Sequence, residues 1–397
     1  MYTRPTPTHP TPSNIIEFLP TMAAYSLLND SMIRHAVNIY HTVAAGKMAP
    51  ISRQSLQKIP LSYATCSIGC GPNDTLARRL EAISTAGFIS IELSFPDILE
   101  FGTQLLGYQV QPDNYSVLLG VARDIRRLCD ANALTVMMLQ PFANFEGWPQ
   151  GSAEREDAFT RAKGWIEIMK IVGTDLLQVG ATDTSEEKIS TSREAIVSDL
   201  RELGGMLAKN NFRLAYENWC WSTHAPGWKE VWQIVRDVDL PNVGLCLDTF
   251  QSCGSEWGDP TTSSGLIEDE TVDQLKTNWN SSMQELAATV PGDKIYLLQI
   301  SDAYKVSPPL EDKVIGGLRP RGRWSHDFRP MPYDGGYLPI EDFARAVLQT
   351  GFRGWFSMEI FDGGPDGKGR KYELNEFAKK AMDNMQKLLD NCATEAR

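Results

Sequence analysis

The chain has 397 residues, 42% hydrophobic and 22% charged, the composition of a globular protein. A net charge of −12 and a pI near 5.0 argue against a phosphate-backbone partner, because nucleic-acid binders show a basic footprint. Seven cysteines without CxxC pairing point to free thiols in a reducing, cytoplasmic setting, and no run of about 18 apolar residues offers a membrane span.

Residues 1–58 read as an N-terminal extension. The first 14 (MYTRPTPTHPTPSN) are rich in Pro and Thr, lack the apolar stretch of a secretory signal, and are expected to be disordered. One or two short helices are expected within Ile15–Ala44. From residue 59 to 397 the pattern is strand then helix, repeated. The expected strands are Ser62–Cys66, Phe88–Leu93, Leu134–Gln140, Leu176–Gly180, Leu214–Trp219, Val243–Thr249, Ile295–Ile300 and Trp355–Ile360. Apolar residues at helical spacing mark Thr75–Ala86, Tyr115–Ala131, Glu154–Val172, Glu186–Asn210, Trp228–Val238, Val272–Ala288, Ile340–Leu348 and Glu373–Leu389. Alternation of this kind predicts parallel strands with right-handed crossovers, and eight units are the count of an α/β fold of the (β/α)8 TIM-barrel type. A doubly wound sheet is the alternative, but no GxGxxG follows the first strand. Two βα connections are long, about 251–270 and 302–338. The second carries Arg319, Arg321, Arg323, His326, Arg329, Tyr333 and Asp334, and is expected to hang over the strand ends as a lid or clamp.

Four short apolar runs end in a polar residue: RLAYENW in Glu217, VGLCLDTF in Asp248, KIYLLQIS in Gln299 and GWFSMEIF in Glu359. In a parallel barrel those ends converge on the face where active sites are built. Three carboxylates and an amide oxygen make a hard donor set, suited to Mg2+ or Mn2+ better than to Zn2+, Co2+ or Cu2+. Four unrelated polar caps are the plainer alternative. Of the five histidines, His9, His35 and His41 fall in the extension, so the barrel holds only His224 and His326 and no histidine-rich zinc cluster. A site of this kind suits proton abstraction beside a carbonyl. His224, after the fifth strand, is placed to act as general acid or base, or is an exposed loop histidine. Arg329 and His326 in the long loop, and Trp221 near a strand end, are candidates for the pocket wall; exposed loop positions and ordinary packing are the alternatives.

The segments AYENWCW with Thr223-His224, GLCLDTF, LLQISDA, AGFISIEL (86–93), LQPFANFEG (139–147), RWSHDFR (323–329) and GYLPIEDFARAVLQTGFRGWFSMEIFD (336–362) together resemble the sugar-phosphate isomerase/epimerase superfamily with a xylose-isomerase-like barrel. Within it the chain is most similar to the fungal and bacterial 3-dehydroshikimate dehydratases. Gln299 fits that branch, where many other relatives carry His. The resemblance spans about residues 60–390 and implies a lyase that converts 3-dehydroshikimate to protocatechuate. It implies metal ligands Glu217, Asp248, Gln299 and Glu359. His224, Glu217 and Glu359 would serve in proton transfer, and Arg329, with His326, Trp221 and Gln140, would lie on the substrate. Three positions depart from the pattern: Ala143 and His326 stand where relatives carry Arg, and Gln251 where some carry His. The partner is then a small hydroxyketone, carboxylated or not, without nucleic acid or membrane, and barrels of this type often associate as homo-oligomers. A ketose isomerase or epimerase on the same barrel, with Glu217 and Glu359 shuttling the proton, is the alternative. A non-catalytic metabolite-binding barrel is a third reading. An endonuclease IV-like repair enzyme is opposed by the shortage of histidines and by the acidic pI.

Overall fold

The computed structural model describes residues 51–394; of the extension expected over residues 1–58, residues 1–50 lie outside the described residues. Eight parallel strands close into a barrel: β1 (Leu61–Ala64), β2 (Ser90–Ser94), β3 (Thr135–Phe142), β4 (Leu176–Gly180), β5 (Arg213–Glu217), β6 (Val243–Asp248), β7 (Ile295–Ile300) and, returning to pair with β1, β9 (Trp355–Met358). The two remaining strands, β8 (Phe328–Arg329) and β10 (Phe361–Asp362), pair antiparallel as a small ribbon. The (β/α)8 barrel expected from the sequence is the fold observed.

The barrel strands are buried on both faces, so no polar–apolar alternation of the usual amphipathic kind marks them. What alternates is the layer each side chain joins. Leu214, Tyr216, Leu245, Leu247, Leu298 and Ile300 pack outward into the main core beneath the helices. Met138, Leu176, Ala215, Cys246 and Leu297 form a separate small cluster inside the barrel. Two residues further along those same five strands stand Gln140, Gln178, Glu217, Asp248 and Gln299. Because the side-chain period of a strand is two, these polar residues form the next interior layer toward the C-terminal mouth.

Helices cover the outside, and several start where a hydroxyl caps them. Ser152, Ser192 and Thr271 each accept a bond from a backbone N–H three residues on, at 3.2, 3.3 and 3.3 Å. Gly107 and Gly173 end two helices with φ of 74° and 81°, a conformation that favours glycine. At the start of the described chain, Ile51 N–H donates to Thr394 Oγ1 at 2.8 Å, tying residues 51–56 to the end of the C-terminal helix Leu374–Cys392.

Besides the single turn Arg53–Leu56, three helices of the described residues occur where none was expected. Phe95–Leu106 follows β2 directly, with Pro96 in its first turn and Gly107 after its last, a signature that was there to be read. Thr249–Glu256 starts on Asp248, whose Oδ1 accepts from the backbone N–H of Phe250 at 2.6 Å and of Gln251 at 3.3 Å. Pro320–Asp327 lies inside the connection expected to be a structureless lid. That segment is pinned rather than loose: Trp324 is fully buried and its indole N–H donates to the Tyr304 carbonyl at 3.0 Å, while Arg321 holds the Gly254 carbonyl at 2.8 Å.

Candidate metal centre

Strand ends β5 and β6 and the residue after β9 bring Glu217, Asp248 and Glu359 together, with one carboxylate oxygen from each within 4.8 Å of the others, all three buried. Gln299, on β7, shares the interior layer but is bonded elsewhere: its Nε2 donates to Glu92 Oε2 at 2.8 Å and its Oε1 accepts from Cys246 Sγ at 3.1 Å. Three of the four expected ligands therefore meet directly, and the fourth stands beside them on its own pair of partners.

Each ligand candidate is held by a second residue. The Gln178 amide donates to Glu217 Oε2 while its own oxygen accepts from Phe142 N–H at 3.3 Å. Gln140 Nε2 lies 3.3 Å from Glu359 Oε1, which makes it a support for a carboxylate where a substrate contact was expected. Arg329 is 1% exposed, reaching in from the β8–β10 ribbon. Its Nη2 donates to Asp248 Oδ2 at 2.6 Å, Glu359 Oε2 at 3.0 Å and the Glu359 carbonyl at 3.0 Å; its Nε donates to Ser301 Oγ at 2.9 Å. Phe250 and Phe361 flank the guanidinium at 4.7 and 5.1 Å from their ring centres. The guanidinium expected to face only a substrate carboxylate is thus also the counter-ion of the cluster.

Glu92, Gln178, Cys246 and Glu146 were not expected at a site. Glu92 and Gln178 sit two residues before the ends of β2 and β4, and only the interior parity of those strands reveals them. Glu92, Glu217, Asp248 and Glu359 are four carboxylates with exposures between 0% and 6%, and Arg329 is the buried cation among them. Burial pushes the Glu217 carboxyl well up, and the neighbouring Asp248 charge adds to it. Burial does the same to Glu359, against the pull of Arg329, and brings Glu92 to about 7. Such an excess of buried negative charge is costly unless it is protonated or matched by a cation. A divalent ion held by Glu217, Asp248 and Glu359 would supply the missing charge, and their oxygens suit a hard ion.

His224 does not stand open at the rim. Its side chain is 4% exposed, and Nε2 lies 3.0 Å from Glu146 Oε1, the oxygen that also accepts from Tyr216 Oη at 2.9 Å and Thr182 N–H at 2.8 Å. Tyr216 belongs to the outward-facing core, so His224 pairs on the helix side of β5 while Glu217 faces the axis. The expected acid–base imidazole is a buried partner of Glu146. His326 is exposed on the outer face of its helix, away from the buried Trp324 and Ser325, and is not among the residues of the acidic cluster or of the two cavities described below. Trp221 stacks on Trp219 at 5.2 Å and donates to Asp183 Oδ2 at 3.2 Å; it lines a cavity of about 430 Å3 with Arg319, Arg321 and Asp259, beside the acidic cluster rather than in it. Of the three departures from the family pattern, Ala143 lines a separate aromatic cavity of about 650 Å3 with Phe95 and Trp165. Gln251 is buried and its Oε1 accepts from Cys220 N–H at 3.0 Å, so it braces the loop after β5 against the Asp248 turn.

Comparison with known proteins agrees with this fold. A family model described as "Xylose isomerase-like TIM barrel" matches residues 80–391. A 3-dehydroshikimate dehydratase of Neurospora crassa is 33% identical over 314 residues, covering 76% of this chain and 86% of that protein. A 3-dehydroshikimate dehydratase of Pseudomonas aeruginosa is 31% identical over 304 residues, but the chain spans only 38% of that longer protein. Among solved structures, a xylose isomerase-like TIM barrel/4-hydroxyphenylpyruvate dioxygenase fusion protein superposes with a TM-score of 0.61 at 27% identity, over 82% of this chain and 42% of that one.

Proposed function

We propose that this chain, which belongs to the xylose isomerase-like TIM barrel family, removes water from 3-dehydroshikimate to give protocatechuate, with Glu217, Asp248, Gln299 and Glu359 holding Mg2+ or Mn2+. The observation that carries the reading is the convergence of Glu217, Asp248 and Glu359 within 4.8 Å at the mouth of a closed barrel. Similarity over 86% of the length of the Neurospora dehydratase names the reaction.

When bound, the ion supplies Lewis-acid polarisation of the substrate ketone. The remaining work belongs to the chain. Dehydration takes a proton from the carbon beside the ketone and hydroxide from the carbon beyond it. Glu217 and Glu359 are the buried carboxylates placed to take up that proton and pass it to the departing hydroxyl, which leaves as water. Gln178 and Gln140 keep those two carboxylates in place. Arg329 binds a substrate carboxylate: its Nη1 makes only a 3.4 Å contact with Ser325 Oγ, which leaves donors on that nitrogen for a ligand. The pinned segment around Trp324 excludes water from one side of the site. All seven cysteines are unpaired, which supports a cytoplasmic setting, and no helix among the described residues is long and apolar enough to cross a membrane.

The test is to strip the protein of metal, resupply Mn2+ or Mg2+, add 3-dehydroshikimate and follow the aromatic absorbance of protocatechuate. Product that depends on the added ion is the expected result. Product formed equally without it overturns the metal role, and no product with metal bound overturns the substrate. An isomerase or epimerase would generate no new aromatic absorbance.

A further inference from the structure

Glu92 is a fully buried carboxylate on the inner face of β2. Interiors of parallel barrels are filled mostly by branched aliphatic side chains, and a buried carboxylate costs stability unless its oxygens find donors. The hydrogen bond it accepts comes from Gln299 Nε2 at 2.8 Å, a residue 207 positions away across the barrel interior. Its other oxygen, Oε1, has no hydrogen-bond partner of good geometry, although the Ser357 hydroxyl is its neighbour. On the opposite edge of the same amide, Cys246 Sγ lies 3.1 Å from Gln299 Oε1.

These two contacts determine which way the amide faces. Glu92 Oε2 accepts, so it takes the NH2 edge; a thiol S–H can donate, so it takes the oxygen edge. A carbonyl oxygen has two lone pairs, and the thiol uses one. The second is left for a cation. An amide without such partners can turn over and present NH2, which no cation accepts, whereas the carboxylates of Glu217, Asp248 and Glu359 have no wrong face. We infer that Glu92 is a positioning residue, fixing Gln299 so that its oxygen is the edge offered to the metal. The inference rests on the metal reading above and adds a residue to it. The role is that of the outer partners that orient metal ligands generally.

The test is a double-mutant cycle on the full chain with Mn2+ affinity as the readout, from calorimetry and from the spin-resonance signal of free Mn2+. The proteins are the parent, Glu92→Gln, Gln299→Ala and the double variant. Glu92→Gln keeps the shape of the side chain but adds an NH2 that can donate to Gln299 Oε1, so the amide is free to turn over. It should weaken Mn2+ binding by roughly 10- to 100-fold without lowering the thermal midpoint. In the Gln299→Ala background the same change should cost less than about twofold, because the group it orients is gone. Glu92→Asp, which keeps the charge but withdraws the oxygens, should weaken binding in the same direction. Equal losses in both backgrounds, or an unchanged affinity in Glu92→Gln, would overturn the positioning role while leaving the metal site intact. A parent protein that binds no Mn2+ overturns both readings at once.

Discussion

In the metal-free protein, stability should fall as pH rises from 5 to 8, opposite to the usual behaviour of carboxylates. Burial and mutual repulsion raise Glu92, Glu217 and Glu359 above their ordinary range. An acid whose folded pKa is raised binds more protons in the native state than in the unfolded one. Its contribution is present at low pH and is lost as pH climbs from the unfolded value through the folded value. For Glu92 the window runs from 4.5 to about 7. A difference of about 2.5 pH units corresponds to about 3 kcal/mol at 1.36 kcal/mol per unit. Asp302, buried and raised from 3.8 to about 6, acts in the same direction. Asp74, Asp237 and Asp334 are lowered, so their effect lies below the window and does not oppose it. A loss of about 3 kcal/mol should lower the thermal midpoint of a barrel this size by roughly 4 °C. Saturating Mn2+ displaces the protons, so it should raise the midpoint most at pH 8 and flatten the profile. Calorimetric scans with a chelator at pH 5, 6, 7 and 8, repeated with Mn2+, provide the measurement. A metal-free midpoint that stays level or rises across this range would refute the account.

Three substitutions probe the site separately. Asp248→Ala should remove bound metal, measured by elemental analysis after dialysis, together with turnover; activity above about a tenth of the parent would contradict its place among the ligands. His224→Gln should lower stability by about 1–3 kcal/mol through the lost bond to Glu146, and should change kcat less than about tenfold. A loss of kcat of about 100-fold or more at an unchanged midpoint would return His224 to proton transfer. Arg329→Ala leaves Asp248 and Glu359 without their counter-ion, so the metal-free protein should lose about 3–5 kcal/mol, partly restored by divalent cation. The same variant should raise KM for a carboxylated substrate, and an unchanged KM would confine Arg329 to charge balance.

The sequence by itself determined the barrel and the three acids that meet at its mouth. Strand-length apolar runs alternating with helical periodicity leave few topologies, and an acid at the end of an apolar strand is conspicuous because it is costly to bury. That is why Glu217, Asp248 and Glu359 were legible, and why Leu176–Gly180, Ile295–Ile300, Tyr115–Ala131 and Trp228–Val238 keep their expected bounds. Side-chain direction was not legible. His224 reads as a rim imidazole until Tyr216 and Glu146 draw it to the helix side of β5, and His326 reads as a pocket residue until its helix turns it to solvent. Glu92 and Gln178 lie inside runs buried on both faces, where no local pattern separates a layer-filling side chain from one that serves the site. Arg329 comes from a ribbon formed with residues 361–362, a pairing that local spacing does not encode. Composition and periodicity act through neighbours along the chain, whereas the partners of a buried charge are chosen across the barrel, and only the closed fold brings them within hydrogen-bonding reach.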